Sequence, residues 1–152
     1  MAKIEAFLTP AEEAKIIEAI RLAEQNTSGE IRVHLEATSA ATDSDMKTDV
    51  LDRAAGVFDA LHMANTKLSN GVLIYVAVED RELVIMGDKG INELVAADFW
   101  ESTKDAIISK FKKGEMANGL VDGIIKAGQQ LKKHFPYKKG DSNELPDEIS
   151  IG

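Results

Sequence analysis

Hydrophobic positions recur along the chain at two spacings, one typical of helices and one typical of strands. Spacings of three and four residues predict four helices, at residues 10–25, 46–63, 99–111 and 116–131. The first helix has a clear start, because the Thr9 hydroxyl can cap it, Pro10 suits its first position and Glu12 can complete a capping box.

Alternating and continuous apolar runs predict three strands. Residues 30–38 alternate, which places Arg32, His34 and Glu36 on a partly solvated face. Residues 71–78, GVLIYVAV, are apolar throughout, as in a central strand covered on both faces. The intervening residues 79–82 are too few for a crossover, so the next run, 83–86, should return antiparallel as a hairpin.

These elements predict an α/β fold. The helix between the first two strands makes them parallel, with a right-handed crossover. We therefore expect a short mixed sheet with a β-α-β crossover and a β-hairpin, covered by helices on both faces as a three-layer α/β/α sandwich. Residues 1–135 should form one domain, and residues 136–152, with two prolines and little apolar content, a flexible tail.

Charge and composition narrow the classes of function. The chain has 26 acidic and 18 basic residues, for a net charge of -8, which disfavours binding to nucleic acid or to an anionic membrane surface. An acidic surface suits divalent cations instead. The absence of cysteine excludes disulfides and thiolate metal sites. No apolar run is long enough for a membrane segment and the N-terminus does not resemble an export signal, so we expect a cytoplasmic protein.

Polar side chains gather at two edges of the predicted sheet. The starts of the parallel strands and the end of the returning strand bring Glu30, Asn70 and Asp88 together, and Asp98 can reach the same edge. We call this edge the strand-start rim. Glycines surround it, and its side-chain oxygens with loop carbonyls would suit Ca²⁺ or Mg²⁺. The structural alternative is that Asn70 and Asp88 are turn residues and Asp98 a helix cap.

The opposite edge is a competing site, because ligands of open α/β sheets usually bind at the carboxyl ends of the parallel strands. This strand-end rim holds the polar residues Glu36, Ser39, Asp43, Asp45, Glu79 and Asp80. Asp43 and Asp45 have the spacing of the first two EF-hand ligands, but Lys47 replaces the required glycine and Ala54 the required glutamate. We reject an EF-hand and retain a weak acidic site, with solvated loops as the alternative.

Motifs for nucleophilic catalysis are missing from the sequence. There is no G-x-S-x-G elbow or P-loop, and the three histidines are scattered, with His34 expected as a surface imidazole. A phosphatase here would have to be metal-assisted, with Arg81 or Lys89 holding the phosphate. Both basic residues have an alternative reading as ordinary turn charges.

Four segments in this order resemble the TPM-domain family: SGEIRV, NGVLIYVAVEDREL, GDKGI and FKKGEMANGL. The resemblance covers about residues 8 to 135. It implies an α/β sandwich, divalent-cation binding and a proposed acid phosphatase activity, in a family that includes thylakoid-lumen repair proteins and bacterial envelope proteins. Two features depart from the pattern. Many relatives carry an export signal and a membrane anchor, and many have a G-x-G turn where Gly87 and Gly90 bracket two residues here.

Two hypotheses follow. The favoured one is a divalent-cation-binding domain with a non-enzymatic interaction or repair-related role, in which a protein partner would fit. Its metal ligands would be Asp88, Asp98, Asn70 and Glu30, with Ca²⁺ or Mg²⁺ as the ion. The alternative is a metal-dependent acid phosphatase acting on phosphomonoesters.

Overall fold

The elements follow the predicted order, with a short helix and a short strand added. A computed structural model describes residues 7–38, 50–64, 66, 68–96, 98–137 and 149–151. Within them the chain forms α1 Pro10–Glu24, β1 Glu30–Glu36, α2 Val50–Ala60, β2 Gly71–Ala77, β3 Glu82–Gly87, α3 Lys89–Asn92, α4 Phe99–Lys112, α5 Met116–His134 and β4 Ser150–Ile151. The predicted helix start at residue 46 lies outside the described residues.

Helix α1 begins as its sequence predicts. The Thr9 hydroxyl accepts from the Glu12 backbone at 3.1 Å, and the Glu12 carboxylate accepts from the Thr9 backbone at 2.9 Å. Both partners of the capping box are therefore present. Pro10 occupies the first turn, and Ile16 and Ile20 are fully buried.

The four strands form one mixed sheet in the order β3-β2-β1-β4. β1 and β2 are parallel, with Glu30 opposite Gly71, and β2 and β3 are antiparallel, with Val72 opposite Gly87. The starts of β1 and β2 and the end of β3 consequently lie at one edge. The predicted mixed α/β class is confirmed, and β2 is internal as its apolar sequence indicates.

Alternate residues of the sheet enter two hydrophobic clusters on opposite faces. One cluster joins Val33 and Ile74 to α1, α4 and α5, and the other joins Leu73 and Tyr75 to α2. The second cluster includes the α2 residues Ala54, Val57 and Phe58. Helices thus cover both faces, in the expected three layers. No helix in the described ranges is long and apolar enough to span a membrane.

The polar face of β1 differs from the prediction. We expected this face to be partly solvated, but His34 and Glu36 are only 5% and 4% exposed. Arg53 of α2 lies over Glu36 and donates two hydrogen bonds to it, and β4 runs beside His34. Sequence alternation alone could not reveal these covering groups.

The chain beyond residue 135 is not entirely the flexible tail that we predicted. Ser150 and Ile151 pair in parallel with His34 and Leu35 as the edge strand β4. The Phe135 carbonyl accepts from the Ser28 backbone at 2.9 Å, next to a bridge between residues 27 and 136. Backbone hydrogen bonding, which composition does not report, accounts for the difference. Residues 138–148 and 152 lie outside the described part.

Candidate metal site at the strand-start rim

The sheet register places Glu30, Asn70 and Asp88 at the same edge. The Glu30 backbone donates to the Asn70 carbonyl at 3.4 Å, and the Asp88 backbone donates to the Gly71 carbonyl at 2.8 Å. Three separate segments therefore meet where the parallel strands begin and β3 ends.

Asn70 is the most unusual polar residue of this rim. It is 1% exposed, and its backbone donates to the Thr66 hydroxyl at 3.2 Å. Neither its side-chain oxygen nor its side-chain nitrogen has a hydrogen-bond partner among the described residues. Because most buried side-chain polar atoms have a partner, an amide with two unsatisfied atoms requires an explanation.

Only one of the two carboxylate oxygens of Asp88 has a hydrogen-bond partner among the described residues. Its Oδ1 accepts from the Lys89 backbone at 2.8 Å and so caps the short helix α3. Its Oδ2 is buried and has no partner in the described part of the chain. A structural role as a turn residue thus accounts for one carboxylate oxygen of Asp88 and leaves the other unexplained.

Two short segments face each other across this edge, Leu68–Asn70 and Asp88–Gly90 at the start of α3, and we call them the facing turns. Ser69 has a left-handed backbone with φ of 52°. A Cβ atom on Gly90 would lie 2.2 Å from the Leu68 carbonyl oxygen and 2.4 Å from that of Ser69. Only glycine fits at this close approach, and strained backbone of the Ser69 kind is frequent where chains clamp a ligand.

The remaining two predicted ligands do not complete a carboxylate cluster. Glu30 is 2% exposed, whereas Asp98 is exposed and occupies the cap position of α4 without a side-chain cap hydrogen bond. Among the residues described, no three Asp, Glu, His or Cys side chains form a group able to hold a metal ion. Any cation at this rim would rely on amide and carbonyl oxygens beside Asp88.

Glu36 lies at the opposite end of β1, and both of its carboxylate oxygens accept hydrogen bonds. Arg53 donates from Nε to Oε2 and from Nη2 to Oε1, each at 2.7 Å, and the Tyr75 hydroxyl also donates to Oε2. His34 Nε2 lies 3.1 Å from Oε1, while its Nδ1 lies 2.8 Å from the Ser150 hydroxyl. This arrangement favours the tautomer in which Nε2 donates to Glu36 and Nδ1 accepts from Ser150.

The protonation of this network follows from its burial and its hydrogen bonds. Burial would raise the pKa of Glu36, but the hydrogen bonds from Arg53, Tyr75 and His34 outweigh it and lower that pKa to about 2. Burial lowers the pKa of His34 despite the neighbouring carboxylate, and burial together with Glu36 raises the pKa of Tyr75. Glu36 is therefore ionised and His34 neutral at pH 7.

The strand-end rim is consequently a poor cation site in its described residues. Every oxygen of Glu36 is occupied by protein donors, and both Asp80 oxygens accept from the Thr38 hydroxyl, at 3.0 and 2.9 Å. Ser39, Asp43 and Asp45 lie outside the described residues. The sequence did not identify Arg53 and Tyr75 as partners of Glu36, or Ser150 as a partner of His34. The signal available was a run of polar residues in β1 beside a strand that is apolar on both faces.

The two basic residues considered for phosphate binding lie far apart. Arg81 is in the exposed hairpin turn before β3, and Lys89 follows the end of that strand. Six residues of strand separate them, about 20 Å at the usual rise per residue. Lys89 alone lies at the strand-start rim, so Arg81 cannot serve the same site as Asp88.

Comparisons with known proteins agree with this fold. A family model described as the TPM domain matches residues 2–130. The BA42 protein of the psychrophilic bacterium Bizionia argentinensis, solved by NMR, is 60% identical, with both chains covered over 100% of their length and a TM-score of 0.86. Among curated proteins the search found no match.

Two more distant structures share the fold. The N-terminal domain of a P. gingivalis protein is 20% identical, with 87% of this chain and 83% of that chain covered and a TM-score of 0.66. The N-terminal domain of the cg2496 protein of Corynebacterium glutamicum is 14% identical, with 91% and 81% covered and a TM-score of 0.60. The family match spans most of the sequence, and this chain belongs to the TPM-domain family.

Proposed function

We propose that this TPM domain binds a divalent cation, Ca²⁺ in preference to Mg²⁺, between the facing turns. The observation that carries the proposal is the Asn70 side chain, which is 1% exposed with both polar atoms unsatisfied among the described residues. Burying an amide without a partner costs about 1–3 kcal/mol. A cation that accepts the Asn70 oxygen as a ligand would offset part of that cost.

The surrounding groups have suitable chemistry. Asp88 Oδ2 would supply the charged oxygen, and the Leu68 and Ser69 carbonyl oxygens lie beside Gly90, two residues after Asp88. Carboxylate, amide and carbonyl oxygens are the ligands of hard cations, and Ca²⁺ tolerates an irregular set of six to eight of them. Mg²⁺ requires near-octahedral geometry and dehydrates reluctantly, which makes it the weaker candidate.

The number of charges sets the expected affinity. Asp88 is the one carboxylate with an unsatisfied buried oxygen at the facing turns, within the residues described. Affinity for Ca²⁺ depends on the charge count and rigidity of a site, so a single carboxylate should give a dissociation constant on the order of 10⁻⁴–10⁻³ M. We therefore expect a cation that binds and leaves with changes in its concentration.

We further propose that the bound cation serves a non-enzymatic interaction or repair-related role. This choice rests on the position of the titratable groups. The buried pair His34 and Glu36 lies near the end of β1, whereas Asp88 lies at the strand-start rim, where β1 begins. Hydrolysis of phosphomonoesters, the alternative, would have to use Asp88, Lys89 and the cation alone. In the presence of Ca²⁺ or Mg²⁺, the wild type should hydrolyse a generic phosphomonoester no faster than Asp88→Asn does.

The test is calorimetric titration of Ca²⁺ into the wild-type protein, Asp88→Asn and Asp80→Asn. The wild type should bind one ion, Asp88→Asn should lose at least about tenfold in affinity, and Asp80→Asn should match the wild type. Asp80 is the appropriate control because it is an aspartate at the opposite rim with a partner of its own, Thr38. Equal loss in both variants, or no heat in the wild type, would refute the proposed site.

A further inference from the structure

The short helix α3 links the proposed cation site to the side chain of Trp100. Its cap residue is Asp88, whose second carboxylate oxygen is unsatisfied, and its last residue is Asn92. Trp100 Nε1 donates to the Asn92 side-chain oxygen at 2.8 Å. A helix of four residues has almost no stability of its own, so such external contacts determine where it lies.

Trp100 also contacts the residue before this helix. A Cβ atom on Gly87 would lie 3.0 Å from indole Cζ2 and 3.3 Å from Cε2, so the ring packs directly on the Gly87 backbone. Ile91 Cγ2 would lie at 3.1 Å from the same Cβ, and Ile91 is fully buried. The segment from Gly87 to Asn92 is therefore held by the indole at both of its ends.

The indole is in turn part of α4. Trp100 lies in the first turn of that helix, and its ring meets the Phe99 ring edge-on at a centroid distance of 4.8 Å. Helix α4 packs on α5 and β3. A displacement of the start of α4 would thus move Asn92 and, through α3, the Asp88 carboxylate.

We propose that Trp100 is a positioning residue of the cation site, which acts through Asn92 and Gly87 to hold Asp88 opposite Asn70. The proposal rests on cation binding at the facing turns. Coupling between two sites is reciprocal, so a bound cation must restrain the indole and the start of α4 to the same degree that these restrain the cation site. Binding of the cation would thus change the position or mobility of the start of α4.

The test compares Asn92→Ala with Asn118→Ala. Asn92→Ala removes the acceptor and leaves the indole in place, whereas Asn118 bonds to Lys15 and Glu115 at the start of α5 and is a matched control. Loss of one neutral hydrogen bond should weaken Ca²⁺ binding by roughly 3- to 10-fold in Asn92→Ala and leave Asn118→Ala unchanged. Trp100→Phe should show the same loss, and the double variant no further loss.

A second readout separates positioning from simple stabilisation. Trp100 is the only tryptophan in the sequence, so its emission reports the indole directly. Ca²⁺ should change the emission of the wild type and of Asn118→Ala, and this response should vanish in Asn92→Ala. If both Asn92→Ala and Trp100→Phe bind Ca²⁺ as tightly as the wild type, Trp100 has no positioning role although the cation site stands. If the wild type binds no Ca²⁺, both proposals fail together.

Discussion

Two buried polar side chains, one at the end of β1 and one just before β2, have opposite hydrogen-bonding states. Glu36 accepts from Arg53, Tyr75 and His34, whereas the Asn70 amide has no partner among the described residues. A satisfied carboxylate is a structural group, and an unsatisfied buried amide is a candidate ligand. At the scale of single residues this contrast distinguishes the two rims, although both contain carboxylates in the sequence.

Asn70→Leu tests whether the amide is kept for binding. The two side chains have the same number of heavy atoms and branch at the same carbon, so removal of an unpaired amide should leave stability in EDTA unchanged or raise it by about 1–3 kcal/mol. Millimolar Ca²⁺ should raise the melting temperature of the wild type and not that of the variant. Thermal unfolding with and without chelator measures both effects. A variant that melts far below the wild type in EDTA would instead indicate a structural amide.

Gly90→Ala tests the close approach of the facing turns. The new Cβ would lie within 2.4 Å of two backbone carbonyl oxygens, and these cannot move as freely as a side chain. We expect a loss of about 1–3 kcal/mol in the free energy of unfolding. Gly56→Ala is the control, because that Cβ would meet nothing within 4 Å in the middle of α2 and should stabilise by about 0.5–1 kcal/mol. Equal effects of the two substitutions on unfolding by denaturant would contradict this packing.

At the scale of elements, strand β4 is the least predictable part of the fold. It contributes two residues to the sheet, and its sequence lies in a polar stretch after the last helix. What holds it is the edge of β1 and the contact of the Ser150 hydroxyl with His34. The start of helix α1, by contrast, was predictable to the residue because its capping box is a local feature of the sequence.

Deletion of residues 149–152 tests how far β4 covers His34. Burial is the main cause of the lowered pKa of this histidine, so removal of the strand should raise its pKa toward the ordinary value of 6.5. An NMR titration of the imidazole ring protons measures the change, with the other two histidines as internal references. An unchanged His34 titration would show that α2 and Tyr75 bury the ring without help from β4.

At the scale of the molecule, the sheet joins a fully paired polar network at one end to the facing turns at the other. The fold class, the order of β1, β2 and β3, and the two-sided burial of β2 were predictable, because they follow from hydrophobic period and loop length. The proposed ligands Asn70 and Asp88 were also identifiable, since the topology places them at one edge. The Leu68 and Ser69 carbonyls were not, because a backbone approach to Gly90 leaves no mark in residue type.

The paired network makes the stability of the whole domain depend on pH. The folded-state pKa of Glu36 lies below the unfolded value, so its contribution is present above about pH 4.5 and is lost as pH falls toward 2. His34 acts in the same direction, because its lowered pKa means that the unfolded chain takes up a proton first, below pH 6.5. The free energy of unfolding should therefore decrease as the pH is lowered through both windows.

Glu36→Gln measures the carboxylate contribution. The variant should lose on the order of 2–3 kcal/mol at pH 7 and have a flatter stability profile than the wild type between pH 4.5 and 2. Glu82→Gln, at an exposed glutamate in β3, is the control. Denaturant unfolding at a series of pH values gives both profiles, and parallel curves for wild type and Glu36→Gln would contradict the network.

The most direct test of a cation site between the facing turns is a residue-resolved ¹⁵N titration of the protein with Ca²⁺. Cation binding between the facing turns predicts amide shifts concentrated at Ser69, Asn70 and Asp88–Gly90. These shifts should saturate along one curve at millimolar ion and be weaker with Mg²⁺. A smaller response at the Trp100 indole N–H should follow the same curve. Spectra unchanged by millimolar Ca²⁺, or shifts gathered instead around Thr38 and Asp80, would contradict a cation site at the strand-start rim.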